Sequence, residues 1–392
     1  MLKRIPIIGA SASIKELLCA FNFIRSVDIL AEFESAFLCF AGMRYVYIFD
    51  SGTSSFYFIL RSLKEISARQ EVILPAYTAG SLVVAVLKAG LKPVLCDVSL
   101  EDFNASIASV LDSVSEKTLA IVCVHSFGIG MRHIQELKSM VPPEVFIIED
   151  CAQSLGTRIG GRITGSFGDA AFFSFKRGKN MPICGGGCVL TNNPEIAVLI
   201  EKNISLLSSN KFLCDILAPL KALAFSIGTN PYVYGLCFGL SSSFRETTPP
   251  KKIIPRRIED FYIRLGLILM RRQEDIFVKR HENGVFLLES LNNVEGVILP
   301  KVDKQVYPVF NRFPLLFKEV KRLEKTQVLL WKSGFESSRM YGRPLYDMFD
   351  LGCNGREFPN ARYLAEHLLT LPVHPAVERQ ALLRLAAVIK ER

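Results

Sequence analysis

Lys179 stands in the run Phe173-Ser174-Phe175-Lys176-Arg177-Gly178-Lys179-Asn180, a polar turn between the apolar stretches 170–175 and 188–191. A lone lysine in such a turn is ordinarily solvent-facing charge. A primary amine can also condense with an aldehyde, and a Schiff-base lysine for pyridoxal phosphate has defined needs: an acid to keep the pyridine nitrogen protonated and donors for the phosphate. The chain contains each type. Asp150 closes the apolar run 145–150 and could pair its carboxylate with a protonated ring nitrogen. Gly52 and Thr53 lie in a turn that opens a helix and offer backbone amides and a hydroxyl to an anion. Ser174 adds a second hydroxyl. Taken singly, each has an ordinary role, because Asp150 could cap a helix, Thr53 could be an N-cap and Ser174 could end a strand.

These residues depend on a regular scaffold. Phe56, Ile59, Leu60 and Leu63 recur at i, i+3, i+4 and i+7, which predicts a helix over 53–66, and a second helix over 81–89 stops at Gly90. The runs 93–97, 119–125 and 145–150 read as strands buried on both faces, with a helical stretch near 131–140 between the last two. Buried strands alternating with helices indicate an α/β domain with a largely parallel sheet. In such sheets the ligand crevice lies beyond the carboxyl ends of the strands, which makes the strand-end residues Asp97, His125 and Asp150 geometrically favoured.

Composition limits the alternatives. At 392 residues the chain is long enough for two or three domains, and 49% hydrophobic with 22% charged residues excludes disordered and collagen-like classes. None of the ten cysteines forms a C-x-x-C pair, so they read as reduced, buried small hydrophobes, not as disulfides or a zinc site. The N-terminus shows no clear signal-peptide core, and export is not expected. The net charge of +9 suits an anionic ligand or surface, but nothing has the groove-reading motifs of nucleic-acid binders.

Several motifs occur together in order: Ser51-Gly52-Thr53, Val72-Ile73-Leu74-Pro75-Ala76-Tyr77-Thr78, Ile148-Glu149-Asp150-Cys151-Ala152-Gln153, Gly165-Ser166-Phe167-Gly168-Asp169-Ala170 and the Lys179 run. This set resembles the DegT/DnrJ/EryC1/StrS family of fold-type I pyridoxal-phosphate enzymes, mostly nucleotide-sugar aminotransferases. The resemblance covers about residues 36–191, and a weaker echo follows in Phe358-Pro359-Asn360-Ala361 and Leu369-Thr370-Leu371-Pro372-Val373-His374-Pro375. It implies an α/β fold with an N-terminal arm over 1–35, a large cofactor domain of mostly parallel sheet flanked by helices over 36–250, and a smaller α+β domain over 251–392. It implies that Lys179 holds pyridoxal 5'-phosphate as a Schiff base and moves the proton, that Asp150 pairs with the pyridine nitrogen, and that Gln153 meets the phenolic oxygen. Gly52, Thr53 and Ser174 would hold the phosphate. The chain would then be a cytoplasmic homodimer that moves an amino group, with glutamate as the expected donor, to a nucleotide-linked keto-sugar for surface polysaccharide, lipopolysaccharide or secondary-metabolite synthesis.

The chain departs from the family pattern in three places. Ala79 stands where many relatives stack an aromatic ring on the cofactor, leaving Tyr77 as substitute or no ring at all. Only Gly185-Gly186-Gly187 follows the lysine, where many relatives carry an acid. Arg256 or Arg257 is nearest to a phosphate-binding asparagine that relatives supply from the partner subunit. A non-catalytic regulatory or scaffold homologue is therefore an alternative. A sugar dehydratase is another, although relatives of that kind replace the lysine by histidine.

Two features fall outside the motifs. Residues 222–244 are uncharged over the length of a membrane span but are interrupted by Gly228-Thr229-Asn230-Pro231, and a loop-helix buried at a subunit interface is expected instead. Residues 251–281 hold nine Lys or Arg against four Asp or Glu, a local +5. This reads as the solvated face of a long helix whose other side carries Phe261, Leu265, Leu269 and Ile276. The alternative is weak contact of 222–281 with an anionic membrane or attraction of a phosphorylated partner.

Overall fold

A computed structural model describes residues 3–21, 28–204, 207, 212–237, 249–353 and 355–391. The N-terminal part holds α1 (Ile14–Ala20) and α2 (Ile29–Ala41). A strand–helix alternation follows: β1 (Tyr45–Phe49), α3 (Gly52–Ile66), β2 (Glu71–Pro75), α4 (Gly80–Lys88), β3 (Lys92–Cys96), α5 (Ile107–Asp112), β4 (Thr118–Val124), α6 (Ile134–Met140) and β5 (Phe146–Asp150). The short strands β6 (Arg158–Ile159) and β7 (Arg162–Ile163) precede β8 (Ala170–Ser174) and β9 (Gly187–Thr191). Helices α7 (Pro194–Ile204), α8 (Phe212–Gly228), α9 (Pro231–Cys237), α10 (Asp260–Met270) and α11 (Gln273–Leu291) lead to the C-terminal part. That part comprises β10 (Val297–Ile298), β11 (Val306–Tyr307), β12 (Phe313–Phe317), α12 (Val320–Lys332), α13 (Leu345–Met348), α14 (Pro359–His367), β13 (Leu368–Leu371) and α15 (Arg379–Lys390).

The main sheet has the order β1-β9-β8-β5-β4-β2-β3. Strands β8, β5, β4, β2 and β3 are parallel, and β9 runs antiparallel to both β1 and β8. Every residue of β4, β8 and β9 is buried, which explains why these strands read as continuous apolar runs. On one face α3 and α4 pack Phe56, Ile59, Leu63 and Val83 onto the sheet. On the other, Phe33 and Phe37 of α2 meet Phe173 and Phe175 edge-on at 5.6–5.9 Å. A second sheet, β10-β12-β13, is antiparallel and forms its own core with α12 and α15. Helix α11 joins the two cores, placing Ile276 and Phe277 in the first and Phe286 and Leu287 in the second. The large α/β sheet with a smaller α+β part matches the expected fold class.

Local differences have physical causes. Helix α6 begins at Ile134 and not near Met131, because His133 adopts the left-handed conformation at φ 61°. The expected long basic helix is two helices, α10 and α11, although Phe261, Leu265, Leu269 and Ile276 are buried as read. Its charge is partly internal, since Arg280 is buried and Arg272 pairs with Glu16. The uncharged stretch splits into α8 and α9 at Thr229-Asn230, and its residues 238–244 lie outside the described set. Among the described residues no helix is long and apolar enough to cross a membrane. Cys96, Cys123, Cys151 and Cys188 are buried as expected, whereas Cys19 and Cys39 are exposed.

Candidate active site

Strands β1, β8 and β5 end along one edge of the sheet, and their ends carry Ser51-Gly52, Ser174 and Asp150. Ser51 caps α3, its hydroxyl accepting the Ser54 amide at 3.2 Å. Gly52 is needed because a Cβ there would lie 2.9 Å from both the Phe173 carbonyl oxygen and Ser174 Cβ. Only glycine lets α3 start against the end of β8. This close approach sets Thr53 and the first-turn amides, which have no partner within a helix, beside the Ser174 hydroxyl. Backbone amides at a helix start beside two hydroxyls are donors suited to an anion.

Lys179 lies in the β8–β9 loop, half-buried, facing Asp150. Burial depresses its amine pKa to about 8; the Asp150 carboxylate opposes that shift, and the Arg312 and Lys176 charges add to it. Asp150 is itself buried, and burial raises its pKa against the pull of Lys179 and a 2.9 Å bond from the Ala152 amide.

The main chain around Lys179 is held from behind by residues that sequence reasoning missed. Arg280 of α11, only 2% exposed, donates from Nη2 to the Lys179 carbonyl at 3.1 Å and from Nε to the Asn180 carbonyl at 3.1 Å. Its Nη1 reaches the carbonyls of Phe310 at 3.3 Å and Asn311 at 3.1 Å. Asn311 Nδ2 donates to the Gly178 carbonyl at 2.7 Å and to Asn180 Oδ1 at 3.1 Å. Asn180 Nδ2 in turn binds the Leu155 and Val309 carbonyls at 2.9 and 2.8 Å. Three consecutive carbonyls, 178 to 180, are thus held by two side chains. The only signal in the sequence is the polar pair Asn311-Arg312 between apolar runs.

Gln153 is fixed at both ends: Oε1 accepts the Phe127 amide at 3.1 Å, and Nε2 donates to the Tyr341 hydroxyl at 3.1 Å. One N–H remains for a ligand. Tyr77 does not lie open to the site; it is buried, its hydroxyl donates to the Arg339 carbonyl at 3.3 Å, and its ring meets Tyr341 edge-on at 5.4 Å. Burial raises both phenols' pKa, that of Tyr341 helped by the Asp150 charge, so both are hydrogen-bond donors at neutral pH. Arg312, half-buried beside Lys179 and Tyr341, has a buried Nε with no acceptor among the described residues.

Two strand-end residues have other tasks. Asp97 accepts the Asn360 and Ala361 amides at 3.1 and 2.8 Å and so anchors α14 to the main sheet. His125 Nδ1 accepts the Met131 amide at 2.9 Å, which leaves Nε2 to donate to Glu149 at 2.9 Å. Glu149 also accepts the amides of Gly165, Phe167 and Gly168 at 2.6–2.7 Å. His125, Glu149 and Cys151 do bring ligand atoms within 4.8 Å of one another, but the histidine and carboxylate acceptors are committed to these protons. Arg256 reaches the β1–α3 turn with its backbone, its amide donating to Asp50 at 3.3 Å while its guanidinium contacts Cys214 Sγ at 3.8 Å. Arg257 is exposed.

Beside Arg312 and Tyr341 lies a cleft of about 1900 Å³ that they line together with Lys88, Lys221, Lys251, Lys252 and Arg343, whereas Lys179, Asp150, Ser174 and Gln153 are not part of its wall. Its two acids are compensated internally. Glu336 accepts the Ile7 amide at 2.8 Å, and Asp347 pairs with Arg362 at 2.8 Å. The cleft is therefore cationic.

The amine, the carboxylate near it and the glycine-dependent cradle fit pyridoxal phosphate. The sequence model of the DegT/DnrJ/EryC1/StrS aminotransferase family matches residues 12–211 and 252–390. GDP-perosamine synthase of Escherichia coli O157:H7 is 24% identical over 93% of this chain and 90% of its own length. A UDP-N-acetyl-3-dehydro-alpha-D-glucosamine 3-aminotransferase of Acidithiobacillus ferrooxidans is 27% identical over 87% of this chain and 82% of its own. Among solved structures, the sugar aminotransferase CalS13 from Micromonospora echinospora shares the fold with a TM-score of 0.77 at 18% identity, covering 98% of this chain and 99% of that one.

Proposed function

The chain belongs to the DegT/DnrJ/EryC1/StrS aminotransferase family, and from that premise we propose that it moves an amino group from an amino acid, with glutamate as donor, to a keto-sugar linked to a nucleotide. The observation that carries this reading is Lys179: an amine of lowered pKa, set against a buried carboxylate, with its own peptide clamped. Pyridoxal phosphate, when bound, supplies an electron sink for the carbon that bears the transferred nitrogen.

The chain's residues have separable tasks. Gly52, Thr53 and Ser174 bind the phosphate. Asp150 offers a carboxylate to a protonated ring nitrogen and keeps that proton in place. Gln153, oriented by Phe127 and Tyr341, presents its remaining N–H to the phenolic oxygen, while Tyr77 braces Tyr341. Lys179 takes the proton from the carbon bonded to the transferred nitrogen and returns it on the cofactor side. With a pKa of about 8, roughly one-tenth of it is neutral at pH 7, against well under a thousandth for an ordinary lysine. The cationic cleft suits a nucleoside diphosphate. We take the protein as cytoplasmic and homodimeric, with a role in polysaccharide biosynthesis. The retained Lys179 favours transamination over dehydration. Incubation with glutamate and a panel of nucleotide-linked keto-sugars tests the reading: formation of an amino sugar and 2-oxoglutarate supports it, and absence of both with every substrate rejects it.

A further inference from the structure

Residues 212–251 fall between the two stretches that the family model matches, and their described part forms α8 and α9. At about 100° per residue, Ile216, Leu217, Leu220, Leu223 and Ile227 lie within roughly 120° of one another around α8. All five are exposed, whereas Ala218, Ala222 and Phe225 on the opposite side are buried. A helix that only packed on the protein would turn polar residues outward, but α8 is apolar on both sides. Its neighbours extend this surface. Helix α1, which packs beside α8, exposes Ile14, Leu18 and Phe21, and α9 exposes Tyr232 and Leu236. Leu18 and Leu236 are 69% and 71% open to solvent. Apolar groups exposed in such a cluster mark an interaction surface.

The surface is anchored and bordered by cations. The Arg4 amide donates to the Pro231 carbonyl at 2.8 Å, the Ala10 amide to Thr229 Oγ1 at 3.3 Å, and Ser226 Oγ to the Ala12 carbonyl at 3.4 Å. After Asp215 the chain carries Lys221 and no acid up to Cys237. Residues 3–21 carry Lys3, Arg4 and Lys15 against Glu16 alone, and Glu16 is paired with Arg272. Lys15 and Lys221 are exposed, and the Lys3 ammonium sits 5.7 Å from the centre of the exposed Tyr232 ring. Aliphatic side chains bordered by lysines and a tyrosine have the composition of a segment at the level of lipid headgroups. The charge distinguishes the occupants. A second copy related by a twofold axis would set these lysines toward their own equivalents, whereas an anionic lipid layer attracts them.

We propose that the outer faces of α1, α8 and α9 form a docking surface for an anionic lipid bilayer, with the aliphatic side chains entering the headgroup region and Lys3, Lys15 and Lys221 pairing with lipid phosphates. Helix α8 has 17 residues and stops before the Thr229-Asn230 break, so the segment lies on the bilayer and does not cross it. The inference goes beyond transamination and does not depend on it. Flotation of the full chain with vesicles tests it. The wild type should float with vesicles of equal parts phosphatidylglycerol and phosphatidylcholine. Its partition coefficient should be at least tenfold lower with phosphatidylcholine alone, and should fall with the anionic vesicles as salt is raised to about 0.5 M. Leu220→Glu combined with Leu223→Glu should lower the coefficient for anionic vesicles at least tenfold. Leu383→Glu, at an equally exposed leucine on α15, should leave it within twofold. Circular dichroism establishes that the variants are folded. A wild type that does not float with anionic vesicles at low salt, or a double variant within twofold of wild type, overturns the proposal. Analytical ultracentrifugation of the same proteins distinguishes the other occupant: a wild-type oligomer that ignores the vesicles and is dissociated by the double variant assigns the face to a second copy and overturns the proposal as well.

Discussion

Arg280→Met should weaken the fold moderately and the chemistry severely. The substitution keeps the length of the side chain and removes every donor. Four carbonyls, those of Lys179, Asn180, Phe310 and Asn311, lose hydrogen bonds of 3.1–3.3 Å from a charged group. Such bonds contribute about 1.5–3 kcal/mol each. Removal of a guanidinium that has only carbonyl dipoles around it recovers several kcal/mol of desolvation cost, so the net loss is about 3 kcal/mol. For a chain of 392 residues, an unfolding entropy of ~2.1 cal/mol/K per residue converts this into a Tm lower by about 4 °C. The larger effect concerns Lys179, whose peptide is released on one side. A misplacement on the order of 1 Å costs about a hundredfold in rate, so kcat should fall by that factor while KM for glutamate changes little.

Asn283→Ala is the control. Asn283 lies one turn along α11 and bonds the Val373, His374 and Val377 carbonyls at 3.3 Å without touching the Lys179 loop. It should lower Tm comparably and leave kcat within a few-fold of wild type. Differential scanning calorimetry and steady-state kinetics decide the matter. Equal losses of kcat in both variants, or an unchanged kcat in Arg280→Met, would refute the role of the clamp.

Four further outcomes are expected. The rate at which apoprotein captures pyridoxal phosphate, followed by absorbance, should rise with pH to a midpoint near 8 and not near 10.5, because burial holds Lys179 below its usual range. The unfolded state binds that proton more tightly, so between about pH 8 and 10.5 the apoprotein should gain stability relative to Lys179→Met; urea titrations at several pH values would expose a slope of the opposite sign. Glu149→Ala should strip the acceptor from His125 Nε2 and from three buried amides, lowering stability by about 3 kcal/mol or more without a direct effect on the reacting groups, as unfolding curves and residual kcat would show. Tyr341→Phe removes the acceptor for Gln153 Nε2 and should change the visible spectrum of bound cofactor while leaving phosphate affinity within a few-fold.

Much of the site could be read from the chain because a parallel sheet buried on both faces gives unbroken apolar runs, and the polar residue that ends each run marks the ligand edge. Asp150, Ser174 and Gly52 follow that logic. Asp97 shows its limit, since a strand-end carboxylate that caps a helix from another layer looks the same in sequence as one that meets a ligand. Arg280 was invisible for a different reason: a buried arginine served only by backbone carbonyls has no charged partner to pair with in the sequence, and it sat among eight other cations that suggested a surface patch. Nothing near Tyr77 in the sequence announces the partner of its hydroxyl, the Arg339 carbonyl more than two hundred residues away. His133 moved a helix start through a left-handed φ that its residue type does not announce.

If Lys179 and its setting serve the transfer of nitrogen from an amino acid, the bound cofactor must change form when the donor is added. The most direct measurement is the visible spectrum of the protein reconstituted with pyridoxal phosphate, recorded before and after glutamate under single-turnover conditions. The expected result is a bound-cofactor band that is replaced on adding glutamate, with 2-oxoglutarate released in equal amount, and no such conversion in Lys179→Ala. A wild-type protein that binds no cofactor, or whose band is unchanged by glutamate and every other amino donor, would contradict it.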